Sequence, residues 1–368
     1  MFLQKFQVFN FLLIVFSLCP FIVKKCKNVY VVHQKRHHTY IVLIETYTFL
    51  GIAALCAYFG FFIQEDFHEN WNIIKTCGFI IHATPILISE LNALVIFFTA
   101  RQHAAIFRNI DTLERKLEKN CGISIKYDGL CRKGWCEIIV STVYANFLLF
   151  VKIRQVYKSS GFIIGFNIIL TIVDLCYIFI MCHFSFMSHA LVLLMKGISA
   201  AIVNKSQTIT NCMAYDKIVR EFAFFFRDYG VIKKLIDKTF GTIWSVDIAY
   251  DFFAITFTVY LYVRLISEYW GVTIFLLESL IVCGKIIKLF YFTRQVEMCY
   301  RELEELQRIV VRTSSESSSA ILQTFLHSNN KKYFTAAGFF DINYRLVYQF
   351  LTTCFTYMVI LFQFESTS

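Results

Sequence analysis

Hydrophobic residues along this chain fall into long blocks separated by charged stretches. Seven blocks are long enough to cross ~30 Å of hydrocarbon as helices rising ~1.5 Å per residue. They are Ile41–Ile63, Ile73–Thr99, Trp135–Val151, Phe162–Met187, Trp244–Ile266, Gly271–Phe292 and Gly338–Phe364. An eighth apolar block, Phe6–Val23, is shorter and contains Pro20 near its end. It is read as a retained segment on the inner membrane surface, with a signal peptide or a further span as alternatives. The expected fold class is an all-α polytopic membrane protein with seven transmembrane helices.

Helical periodicity also marks the polar stretches. Ile106, Ile110, Leu113 and Leu117 share one face. So do Ile218, Phe222, Phe225, Tyr229, Ile232 and Ile236, and again Val296, Tyr300, Leu303, Leu306 and Val310. Such stripes need partners, supplied either by intramolecular packing or by an oligomer interface.

Composition agrees with the blocks. Hydrophobic residues make up 57% of the 368, charged residues only 17%, with 41 Phe and 20 Tyr, whereas soluble domains carry about 25% charged residues. The net charge of +10 could indicate nucleic acid, but its distribution indicates a membrane. Of 36 Lys and Arg, 28 fall in segments 1–40, 100–134, 188–243 and 293–337, which lie on one side of a seven-span chain. Only Lys152, Arg154 and Lys158 fall on the other side. The positive-inside rule then places the N-terminus in the cytosol and the C-terminus outside. Asn204-Lys205-Ser206, the one glycosylation triplet, is cytosolic in this arrangement.

This orientation is the reverse of a G-protein-coupled receptor, and the DRY-like and NPxxY-like motifs of that class are missing. With 14 Gly, two Pro and no internal repeat, the chain gives little sign of the broken helices of secondary transporters; a metabotropic seven-span receptor and a transporter or structural membrane subunit stand as the alternatives. The 13 Cys form no CxxC pair, and His33, His37 and His38 have no Cys or carboxylate neighbours, so no metal site or cofactor is expected. No Walker loop, GxSxG or HExxH occurs, and no enzyme is expected. Gly161 and Gly165 offer a weak helix-packing signal.

Charges within or near spans include Glu45, Glu90, Asp174, Asp247, Asp251, Glu278, Lys285, Lys288, Asp341 and Arg345. Glu90 and Asp174, both mid-span, are candidates for a ligand cavity, against helix–helix hydrogen bonding. Lys285 and Lys288 are near enough to the inner end to snorkel, and Asp341 and Arg345 have the spacing of a helical ion pair. In the last span, Gln349, Thr352, Thr356 and Gln363 follow a near-3.6 period over ~21 Å of helix, with Arg345 extending the stripe. Interhelical hydrogen bonding explains such a stripe; so does an aqueous path lined by symmetry-related copies.

The C-terminal sequence Thr356-Tyr357-MVILF-Gln363-Phe364 resembles the signature of insect gustatory receptors, and FTAAGFFDINYRL (334–346) looks like that family's lead-in to its last helix. The resemblance implies a tastant-gated non-selective cation channel in the plasma membrane of chemosensory neurons. Its subunits form homo- or hetero-tetramers with other gustatory receptor subunits, and its partners are a small-molecule tastant, cations and lipid rather than nucleic acid. It makes Gln349, Thr352, Thr356, Tyr357, Gln363 and Phe364 pore or gate residues and Ala320–His327 a short helix at the subunit contact. The wording FDINYRL resembles the bitter-sensing type. The implied organisation is a cytoplasmic arm (1–40), a six-helix bundle with cytoplasmic helices at 100–134 and 188–243 (41–292), cytoplasmic anchor helices (293–337), and a pore helix with a short outer tail (338–368).

Overall fold

The computed structural model describes residues 2–15, 21–26, 29–34, 49, 51–53, 56, 73–156, 161–207, 212–266, 272–313 and 333–366. Most of the first predicted span and the expected short helix Ala320–His327 lie outside the described residues.

The described helices are α1 (Phe2–Val15), α2 (Ile73–Phe98), α3 (Ala100–Cys121), α4 (Asp128–Val156), α5 (Gly161–Gln207), α6 (Cys212–Ile266), α7 (Val272–Thr313) and α8 (Tyr344–Ser366). Three of them run far past their apolar stretches. With 47, 55 and 42 residues, α5, α6 and α7 are each at least ~60 Å long at ~1.5 Å per residue, twice the ~30 Å hydrocarbon layer. Their extensions gather at one end of the molecule and form a base. There Phe225, Tyr229, Ile232 and Ile236 of α6 and Val296 and Leu306 of α7 are buried within the chain. Among the described residues, three helices are long and apolar enough to cross a membrane, and α2 with α3 adds a fourth if counted as one broken span.

The α2–α3 break is a bend of 64° at Thr99, whose hydroxyl folds back onto the Val95 carbonyl at 2.7 Å. Past the bend the sequence changes from apolar to amphipathic. Ile106, Ile110, Leu113 and Leu117 are all buried, so their stripe packs inside the chain. Gly122, at φ 65°, ends α3 by returning its N–H to the Glu118 carbonyl, the left-handed cap that glycine adopts without a Cβ penalty.

The apolar block Phe6–Val23 divides into two elements. Pro20 cannot continue a helix, and beyond it β1 (Phe21–Cys26) pairs antiparallel with β2 (Val29–Gln34). Asn10 of α1 clasps the hairpin, donating to the Phe21 carbonyl and accepting from the Val23 N–H, each at 3.0 Å. Phe2, Phe6 and Phe21 enter an aromatic cluster with Phe107 of α3 and Phe186 of α5. His103 and His183 stack within it at 4.8 Å.

Just before α8 the chain forms a second hairpin, β3 (Thr335–Ala336) with β4 (Phe340–Asp341). Its turn places Ala337 and Gly338 at positive φ. Phe334 inserts among Phe184 and Trp244, and the Thr335 N–H donates to Asp237 of α6 at 3.0 Å.

Candidate functional site

The last helix is the candidate site, and it has two contrasting faces. Leu346, Val347, Phe350 and Cys354 are buried and rest on α6. Phe252 of α6 is the centre of this seam. Its ring meets Phe350 at 6.0 Å and Tyr357 at 5.5 Å, both edge-on, and its carbonyl accepts the Cys354 thiol at 3.9 Å. Further along, Phe362 packs on Tyr260 at 5.4 Å.

The opposite face carries Gln349, Thr352, Thr356 and Gln363, all exposed. The threonines are satisfied within the helix: Thr352 donates to the Tyr348 carbonyl at 2.9 Å, Thr353 to Gln349 at 2.7 Å and Thr356 to Thr352 at 3.0 Å. Thr352 and Thr356 therefore present methyl groups and acceptor lone pairs rather than free donors. Tyr357 sits at the edge of the α6 seam instead of on the stripe. The side chain of Phe364 lies outside the described residues.

The hairpin fixes where α8 begins. A Cβ on Gly241 of α6 would lie 2.9 Å from the Ala337 nitrogen and 3.1 Å from the Thr335 oxygen. The bare α-carbon thus admits the hairpin backbone. Asp237, one turn away, accepts the Thr335 N–H and pairs with Lys233 at 3.0 Å. Gly241 and Asp237 are not in the 334–346 motif and carry no sequence signal of their own. The hairpin also overturns one expectation. Asp341 lies in β4, ahead of the first turn of α8, so Asp341 and Arg345 are not one helical turn apart and form no ion pair.

Buried charge meets at the α2–α6–α7 contact. Asp251 is 2% exposed and is paired with Lys285 at 3.0 Å and with Lys288. Lys285 also lies over the Tyr250 ring, 4.2 Å from its centroid. Asn92 donates to Asp247 at 3.0 Å. These lysines do not snorkel. A buried Asp251 carboxylate without a counter-charge would cost several kcal/mol, and the two lysines one turn apart on α7 supply it. Asn92 was hidden from sequence reasoning because an uncharged amide in a span gives little signal.

The two pocket candidates are not brought together among the described side chains. Glu90 on α2 is half-buried, with a carboxylate oxygen 2.6 Å from where a Cβ of Gly51 would stand. It packs on the first span where that span has no side chain. Asp174 lies on α5 with its side chain outside the described residues.

Long apolar helices, an ion cluster held between them and a base of helical extensions define a polytopic helical membrane protein. The family model "7tm Chemosensory receptor" matches residues 7–368, so the chain belongs to the seven-span chemosensory receptor family. Among solved structures, it is similar to the insect olfactory receptor OR5 from Machilis hrabei, with a TM-score of 0.69 and 13% identity over 98% of both chains. The same receptor in complex with eugenol matches with a TM-score of 0.70 and 12% identity, again over 98% of both chains. No curated protein sequence matches.

Proposed function

We propose that this protein is a gustatory receptor subunit of the plasma membrane: a tastant-gated, non-selective cation channel in which α8 lines a central pore shared by four subunits. The observation that carries this reading is the outward stripe of α8. Only 17% of its apolar stretch is buried within the chain, and the exposed side holds Gln349, Thr352, Thr356 and Gln363. Lipid can cover the neighbouring Phe355 and Val359, which are also exposed, but it leaves an exposed row of amides and hydroxyl oxygens facing hydrocarbon. Copies of the same helix around water do not.

The distribution of Lys and Arg supports a cytosolic N-terminus and base and an extracellular C-terminus. Gln363 and Phe364 then form the outer mouth and gate, with Thr356 and Tyr357 deeper in the same helix. A small organic ligand, of the kind eugenol represents for the olfactory receptor of similar fold, binds between the other spans, with Glu90 and Asp174 as polar candidates. Its preference for the open state shifts the closed–open equilibrium. The TY-x5-QF ending supports a gustatory assignment, and the wording of 334–346 a bitter or deterrent ligand.

The test is Gln363→Ala in outside-out patches without GTP. The expected result is altered conductance or basal opening at unchanged tastant rank order. A shift in tastant preference alone would remove α8 from the pore, and absence of tastant-evoked current in every subunit combination would remove the channel. A tag after Ser368 is expected to be reachable on intact cells and an N-terminal tag not.

A further inference from the structure

At the boundary between span and base, α4 and α7 both pack along α5 and meet one another through side chains. Tyr144 donates to the Leu280 carbonyl at 3.0 Å, and one end of the seam is closed where the Tyr291 hydroxyl donates to Glu137. Between these points Val140 of α4 and Ile287 of α7 remain 68% and 66% exposed. On α4, Lys133, Glu137 and Val140 follow helical spacing along one face; on α7, Ile287, Tyr291 and Arg294 do the same. The result is an apolar groove floored by α5 that ends at two cations.

Those cations have no carboxylate within ion-pair distance among the described residues. Lys133 is half-buried, and its ammonium contacts Nε2 of His189. His189 uses Nδ1 on the Ser185 carbonyl at 2.9 Å, so Nε2 accepts, and the imidazole brings no negative charge. Arg294 is exposed; burial pushes the Lys133 amine below its usual value, Glu137 one turn on partly offsets this, and Arg294 adds a smaller repulsion. Among the described residues neither Lys133 nor Arg294 forms an ion pair, and one oxygen of Glu137 is taken by Tyr291. An ammonium with donors to spare and a whole guanidinium thus sit at the head of a greasy groove, at membrane-boundary depth.

We propose that the α4–α7 groove binds an anionic phospholipid, its phosphate on Lys133 and Arg294 and an acyl chain along Val140 and Ile287. Charge complementarity selects the headgroup and exposed apolar surface the chain, the combination by which basic clusters between spans hold acidic lipids. His189 positions Lys133 by accepting one of its protons. The identity of the leaflet as the cytosolic one rests on the orientation proposed above; the binding does not.

The test uses the full chain in detergent, read by native mass spectrometry with phosphatidylinositol, phosphatidylcholine and the water-soluble glycerophosphoinositol as probes. Phosphatidylinositol is expected to bind more tightly than phosphatidylcholine, and glycerophosphoinositol not to compete at equal concentration. Lys133→Gln with Arg294→Gln is expected to weaken phosphatidylinositol roughly ten- to thirtyfold. Lys133→Arg with Arg294→Lys should retain it, and Arg227→Gln, a cation elsewhere on the base, should change nothing. Gel filtration excludes misfolding of the double variant; should it misfold, the single variants, each expected to weaken binding about fivefold, decide. Equal binding of phosphatidylcholine, full competition by the soluble headgroup, or undiminished binding in the neutral variants would overturn the proposal. None of these readouts involves current or tag accessibility, so failure here leaves the channel reading standing, and the reverse.

Discussion

Helices α5 and α8 are both apolar enough to cross a bilayer, but the chain treats them differently. Among the described residues it buries 67% of the apolar stretch Phe179–Asn204 of α5 and 17% of Tyr344–Gln363 of α8. Their hydrophobicities do not account for this; their neighbours do. α5 is enclosed by α4, α6 and α7, and its Phe184, Phe186 and Met187 are almost fully covered. α8 touches the rest of the chain along one seam and presents a polar stripe on the other side. A helix completed by its own chain behaves as scaffold. A helix left open needs lipid or further subunits, and its substitutions should register in assembly and function rather than in folding.

The largest effect should come from the enclosed side. Asp251→Ala leaves the part-buried Lys285 and Lys288 without their buried carboxylate, a loss at the lower end of about 3–5 kcal/mol. The expected outcome is little or no monodisperse protein on gel filtration in detergent, whereas Asp251→Glu recovers part of it. Normal yield from the alanine variant would mean that the ion cluster is solvated and that α6 and α7 are less enclosed than α5.

Gly241→Val addresses the junction between the two regimes. Its Cβ would press on the hairpin backbone at 2.9 Å, and overpacking of this kind costs about 1–3 kcal/mol. A lower melting temperature is expected, together with altered basal opening, because the hairpin sets the start of α8. A change in melting temperature without any functional change would uncouple the hairpin from the last helix.

A smaller and pH-dependent effect belongs to His103 in the base. Burial pushes its imidazole down to about 3 from the ordinary 6.5, and both ring nitrogens lack hydrogen-bond partners. Between those values the unfolded chain binds a proton that the folded chain does not, so stability falls as pH drops through that window. His103→Phe removes the linkage. Melting temperatures measured from pH 7 down to pH 4 should fall less steeply in the variant (both pH values chosen to bracket most of the shift, about one proton's worth). Parallel curves would show that the ring is hydrated in solution.

The same contrast explains how far sequence reasoning reached. The α3 stripe at Ile106, Ile110, Leu113 and Leu117 was legible because a strong 3.6-residue period determines which face is buried, whatever covers it. The β1–β2 hairpin was not, because six-residue strands adjoining an apolar helix carry too short a pattern to separate from it. Lys285 and Lys288 were read as snorkelling because hydropathy places each residue by depth and is silent about Asp251, 34 positions earlier. Pairing across helices is a tertiary fact. The α8 stripe was legible as a period, but its chemistry was not: back-bonding by Thr352 and Thr356 removes the unsatisfied donors that sequence alone would assign to them. Gln349 thereby becomes the more decisive position on the stripe.

The smallest stability effect and the sharpest use of the comparison come from Thr352→Val. The side chain is exposed and its hydroxyl bonds within the helix, so the melting temperature of the isolated subunit should be nearly unchanged, within about 0.5 kcal/mol. Current should change, because valine replaces an acceptor oxygen on the stripe with a methyl of similar size. The isosteric swap separates two explanations that a bulkier substitution would confound. If α8 faces lipid, removing a hydroxyl there is neutral or mildly favourable and conductance is unaffected. If α8 faces water and its own copies, single-channel conductance falls while the folded subunit is as stable as before.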